Sequence, residues 1–89
     1  MKDAVKTLID QTFSYHQEEK IKGSDLADLY MDDCKSFLAV HFHLGMNQIS
    51  AVKSLINDMD TEPREQVVCA IAKEKGNDWV AEKLGWEVA

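Results

Sequence analysis

Asp25, Asp28 and Asp32 recur at i, i+3 and i+7, and Asp33 follows directly. On a helix this spacing lines three carboxylates along one face and sets the fourth beside them. A face of that kind can meet the basic surface of a partner or hold a divalent cation weakly. The metal version is poor chemistry, because a calcium loop alternates oxygen ligands around a glycine turn and this segment reads as helix. Asp25 and Asp28 also fall in a first helical turn, where each complements the helix dipole by about 0.3–1 kcal/mol. A solvated face with N-terminal charge therefore accounts for them even without a partner.

The remaining candidates for chemistry are scattered. His41 and His43 are two apart, so on a helix they point to opposite sides and share no ion. Cys34 and His41 share a face but stand about 10 Å apart along the axis. His16, Cys34, His41 and Cys69 converge only if tertiary packing brings them together, and the reading is of no metal site and no cofactor. No serine or cysteine sits in a nucleophile elbow, there is no glycine-rich phosphate loop, and HExxH is absent. The many carboxylates lack any pattern that marks an acid–base pair. The four glycines fall at helix ends, which leaves little backbone for a substrate cradle. The expectation is that the chain is not an enzyme. Trp79, Trp86 and Phe42 are apolar side chains whose burial is open; the two tryptophans read as a lid on the core or, if exposed, as interface anchors.

The elements that must position these residues are helices. Val5, Leu8, Ile9, Thr12, Phe13 and His16 form a helical stripe, while Lys2, Lys6, Asp10 and Gln17 lie off it. Gln17-Glu18-Glu19-Lys20 and Gly23 end that segment, and Ser24 with Asp25 supplies the cap of a second helix. The second helix is expected over about 25–44. Leu26, Leu29, Tyr30, Cys34, Phe37, His41 and Leu44 make its stripe, widened by Met31, Leu38 and Phe42. Such breadth predicts neighbours on more than one side. Gly45 is expected to close this helix in the left-handed conformation. Asn47 then caps a third helix bearing Ile49, Val52, Leu55, Ile56 and Met59. Pro63 suits the first turn of a fourth, capped by Asp60 or Thr61. Val67, Val68, Ala70 and Ile71 give that helix its apolar side before Gly76, and Asn77-Asp78 opens a short fifth helix through Leu84. No segment alternates apolar and polar residues between turn signals, so no strand is assigned. The expected architecture is all-α: a compact bundle of about five helices forming one domain over residues 1–89.

Residues 67–86 read VVCAIAKEKGNDWVAEKLGW. This segment resembles the opening of a Fis-type helix-turn-helix through Ala70, Ile71, Gly76, Asn77, Ala81, Leu84, Gly85 and Trp86. Gly76 and Asn77 suit the tight interhelical turn, Ala81 permits close helix approach, and Gly85 makes the next sharp turn. In that family the recognition helix follows the Leu-Gly turn and enters the major groove. Here only Glu87-Val88-Ala89 follow Trp86. The resemblance covers the two helices that support readout and lacks the one that reads. It implies, as the alternative function, a DNA-binding transcriptional regulator whose recognition element is completed across a dimer.

Over all 89 residues, 16 acids stand against 10 lysines and arginines, a net charge of −6, with 45% apolar side chains. That composition belongs to an ordinary folded domain. The acid excess argues against direct nucleic-acid binding and against anionic membranes, which call for lysine and arginine facing phosphate. Residues 1–45 and 46–89 each carry 5 basic and 8 acidic side chains, so no charged tail stands apart. Two cysteines 35 positions apart form no disulfide framework. The N-terminal segment shows no signal-like apolar stretch, and runs such as Phe37-Leu38-Ala39-Val40 fall far short of the roughly 20 residues a membrane span needs. A cytoplasmic location with free thiols follows as the expectation. The leading functional expectation is an acidic regulator or inhibitor, non-enzymatic and protein-binding. It would present Asp25, Asp28, Asp32 and Asp33, extended by Asp58, Asp60, Glu62 and Glu65, to a basic partner, with Trp79 and Trp86 as further contact residues. Where that partner surface normally holds nucleic acid, carboxylates would stand where phosphates sit. Small acidic proteins of phages and mobile elements that block host nucleases or RNA polymerase are similar in size and charge. A chain this short buries only about 60–65% of its unfolded surface, so a homodimer is also expected, with leftover apolar surface on the first helix as one means.

Overall fold

Helix α1 spans Ala4–Lys22 and ends at Gly23, whose φ of 73° is open to glycine at little cost. Helix α2, Leu26–Gly45, returns antiparallel after a three-residue connection in which Ser24 Oγ accepts from the Leu26 N–H at 3.1 Å. The expected Ser24 cap therefore forms, whereas Asp25 makes no side-chain cap bond. Helices α3 (Ile49–Asp58), α4 (Thr61–Lys75) and α5 (Asn77–Leu84) complete the computed structural model, which describes residues 3–87. The five helices and the lack of strands among the described residues make this a small all-α bundle.

The α2–α3 connection departs from expectation. Gly45 stays within α2, and the left-handed residue is Asn47, with φ of 57°. Asparagine tolerates this region because its short polar side chain can bond locally. The helix thus runs one residue further, and the left-handed turn falls two residues later than expected. Asn47 makes the turn, and Gln48 stands at the head of α3, where its side chain accepts from His43 Nδ1. Pro63 does lie in the first turn of α4, with Asp60 preceding the helix in extended backbone but making no side-chain cap bond.

Packing follows from helix length. At 1.5 Å per residue α1 and α2 are each about 30 Å long, while α3 is about half that. Helix α4 lies against α1, α3 lies against α2, and α5 closes on α3 and α4. The core forms where all five meet, around Val5, Phe37, Val40, Val52, Ile56, Val67, Ile71, Val80 and Leu84. The shorter helices leave part of the hairpin unaccompanied, which gives the molecule its 42 Å long axis against 26 Å in the other two directions. On the projecting part α1 and α2 hold each other. His16 is buried with Nδ1 2.8 Å from the Ala27 carbonyl oxygen, and the rings of Tyr15 and Tyr30 meet at 5.5 Å.

The breadth of the α2 stripe is resolved in an unexpected way. Helices α1 and α3 do touch α2 on two sides, and Cys34, Phe37, Val40 and Leu44 are buried. Leu38 and Phe42, which widen the stripe, are instead exposed, as are Leu26 and Leu29. On α1 the stripe buries Val5, Ile9, Thr12 and His16 but leaves Phe13 outside.

Candidate functional site

Asp28 and Asp32 face solvent on the N-terminal half of α2, and Asp25, which precedes the helix rather than lying in its first turn, is exposed beside them. Asp33 is turned from them toward the α3–α4 junction and is half-buried. Burial pushes its carboxyl above the ordinary range, and the charges of Asp60, Asp32 and Glu62 push it further the same way. The fold thereby joins acids that are distant in sequence: Asp60 and Glu62 at the start of α4 extend the carboxylates of α2. Asp58, at the end of α3, is exposed, and Glu65 lines clefts on the far side of α4.

The ion pairs among the described residues are Lys22–Glu19 at 3.2 Å and Lys83–Glu82 at 3.7 Å. None of the acids from Asp25 to Asp33, nor Asp60 or Glu62, has a basic partner there. The surface is an uncompensated negative patch built from two helices, and such a patch raises the local concentration of cationic partners.

Among the described residues, no three His, Cys, Asp or Glu side chains stand close enough to share a metal ion. Cys34 is buried, its thiol 4.0 Å from the Ile9 carbonyl oxygen, and His16 is occupied by Ala27. His43 faces Gln48, and Cys69 is exposed on α4. Of the scattered set His16, Cys34, His41 and Cys69, the first two are buried, His41 is half-buried on α2 and Cys69 is exposed, and no three of them lie close enough together to share an ion.

Trp79 and Trp86 pack as half-buried flanks of the core. Each also lies under a cation: Lys75 Nζ is 5.7 Å from the Trp79 ring centroid, and the Arg64 guanidinium is 5.1 Å from that of Trp86. They stand apart from the acidic patch, on the α4–α5 side. Two open clefts flank α4. One, of about 580 Å³, runs between α1 and α4 past Leu8, Gln11, Cys69 and Lys73; the other, of about 500 Å³, holds Arg64, Val68, Cys69 and Trp86.

Within residues 67–86, α4 passes into α5 at Gly76 with φ of 98°, and Gly85 follows α5 with φ of 74°. Both glycines occupy backbone that other residues rarely adopt. The outer face of α5 exposes Asn77, Asp78, Ala81, Glu82 and Lys83.

Two features had no clear sequence signal. Glu74 Oε1 accepts from the Val5 N–H at 2.9 Å across the fold, and the apolar row Leu38, Phe42, Met46 lies bare. The first is a contact between residues 69 positions apart; the second was visible only as unusual stripe width. No helix among the described residues is long and apolar enough to cross a membrane. Compared with models of protein families, with curated proteins and with solved structures, the chain matches none.

Proposed function

We propose that this protein is a non-enzymatic binding module, an acidic regulator or inhibitor that engages the basic surface of another protein. The observation that carries the reading is the run of exposed carboxylates Asp25, Asp28 and Asp32, continued by Asp60 and Glu62, none of which has an ion-pair partner among the described residues. Like charges held together by a fold cost stability, and a partner bringing lysine or arginine relieves that cost on binding. A basic surface of this kind is what nucleic-acid-binding proteins present, so competition with nucleic acid is the mechanism proposed, as for the small acidic proteins of phages and mobile elements. Reduced thiols on Cys34 and Cys69 are consistent with work in the cytoplasm.

The test begins with affinity capture from the native host lysate at low and then high salt. The captured partner is then titrated against the wild type and against a variant carrying Asp25→Lys, Asp28→Lys and Asp32→Lys. Weaker binding with rising salt, and further loss in the variant, is the expected result. Affinity untouched by both rejects the acidic-face mechanism.

A second reading draws on the paired glycine turns around α5, which suit a helix-turn-helix-related DNA-binding regulator acting as a dimer. The acids on the outer face of α5 oppose it, since phosphate contact calls for positive charge. A gel shift on genomic fragments at low salt discriminates: no retardation at micromolar protein ends this alternative.

A further inference from the structure

We infer that the C-terminal half of α2 is a self-association surface, on which a second copy of this chain packs antiparallel about a twofold axis near Phe42. Leu38, Phe42 and Met46 lie at i, i+4 and i+8, and they are 50%, 61% and 59% exposed. Met46 follows the last residue of α2 but keeps the helical register, its N–H bonded to the Phe42 carbonyl at 3.1 Å. The three therefore form one unbroken i±4 ridge. Ridges of this type from two helices interdigitate at about −50°, the commonest helix packing in globular proteins. With Phe42 on the axis, Leu38 of each copy meets Met46 of the other, so the row is complementary to itself, as a twofold interface requires.

Charge selects the same place. The chain has a net charge of −6, yet no Asp or Glu occurs between Asp33 and Asp58, a stretch that carries Lys35 and Lys53. Two copies of an acidic protein meet here without opposing carboxylates. In the antiparallel pair Asp32 lies about 15 Å along the helix from the axis, beyond the end of the partner helix. Both acidic faces are left outside.

The apolar area is that of a weak pair, below the standard interface. Leu38, Phe42 and Met46 together offer roughly 300–350 Å² of apolar surface. A standard interface covers about 800 Å² on each partner, slightly more than half of it apolar.

This inference is independent of the acidic-face reading and fails separately from it. Sedimentation velocity of the full chain, from micromolar to millimolar concentration, is the experiment. The wild type is expected to reach twice its 10.1 kDa monomer mass. Phe42→Glu is expected to weaken the dimer roughly a hundredfold, with its helical circular dichroism retained because the side chain is exposed. Leu38→Glu and Met46→Glu provide the same test should that variant fold poorly. Raising salt leaves the dimer intact or strengthens it, the reverse of binding through the acidic patch, and Asp28→Lys with Asp32→Lys leaves it unchanged. A wild type that stays monomeric throughout overturns the inference. So does a dimer that survives all three glutamate substitutions, or a face that engages anionic phospholipid vesicles while the protein remains monomeric.

Discussion

His16 on α1 and Ala27 on α2 are joined across the projecting end of the hairpin, the ring Nδ1 lying 2.8 Å from the carbonyl oxygen. A carbonyl only accepts, so the proton of this bond sits on Nδ1. The side chain is 7% exposed, which shields the bond from competing water. It fastens the two long helices where the three shorter ones do not reach.

Replacing His16 by Leu removes the donor and keeps most of the apolar contact. The expected loss is about 1 kcal/mol, read as a lower urea midpoint at unchanged slope. Hydrogen exchange should quicken first in the amides flanking Gly23, since this bond guards that end of the hairpin. An unchanged midpoint means the contact contributes nothing net.

Asp33 makes stability depend on pH in an unusual direction. Its carboxyl is raised above the ordinary 3.8 by burial first and then by Asp60, Asp32 and Glu62. Between 3.8 and the raised value the folded state holds more protons than the unfolded state, so stability falls as pH rises through that window. The penalty persists at neutral pH. Asp33→Asn is therefore expected to be more stable than the wild type at pH 7, and the difference should close below pH 3.8. Thermal melts across that range check both halves, and a variant less stable at pH 7 rejects the assignment.

The two thiols should behave as different chemical species. Cys34 is buried against the Ile9 carbonyl, and burial and the Asp33 charge hold its thiol above the usual range. The reactive species is the thiolate, so both causes suppress reaction. Cys69 is exposed. A disulfide reagent should titrate one thiol per native chain and two after denaturation. Equal rates at both positions contradict the burial of Cys34.

These contrasts mark what sequence carries and what it does not. Helix positions were legible because glycine, proline and 3.6-residue periodicity act locally. Pro63, Gly23 and Gly76 each stand at a helix boundary as their chemistry demands. Asn47 replaced Gly45 at the left-handed turn because glycine permits that geometry without enforcing it, and asparagine also tolerates it. Leu38 reads as part of the stripe, and the burial of Phe42 stays open, because periodicity reports amphipathicity, not what covers the face. Asp25, Asp28 and Asp32 were legible as one face from spacing alone. The crowding of Asp33 by Asp60 and Glu62 was not, since it depends on how α2 meets the α3–α4 junction.

Glu74 supplies what the start of α1 lacks. Asp3 precedes that helix without a side-chain cap bond, and its first turn contains no acid. The free N–H of Val5 instead donates to Glu74 Oε1 at 2.9 Å, from the last turn of α4. The carboxylate satisfies an orphan donor and places negative charge at the positive end of the α1 dipole. Glu74→Ala is expected to cost about 1 kcal/mol and to loosen the α1–α4 contact. Glu74→Gln keeps an acceptor but loses the charge, so it should fall between the two, with its deficit shrinking as salt screens the dipole term. Denaturation of the three proteins at low and high salt separates the contributions. If Gln and Ala cost the same at both, the bond to Val5 is not what stabilises the helix start.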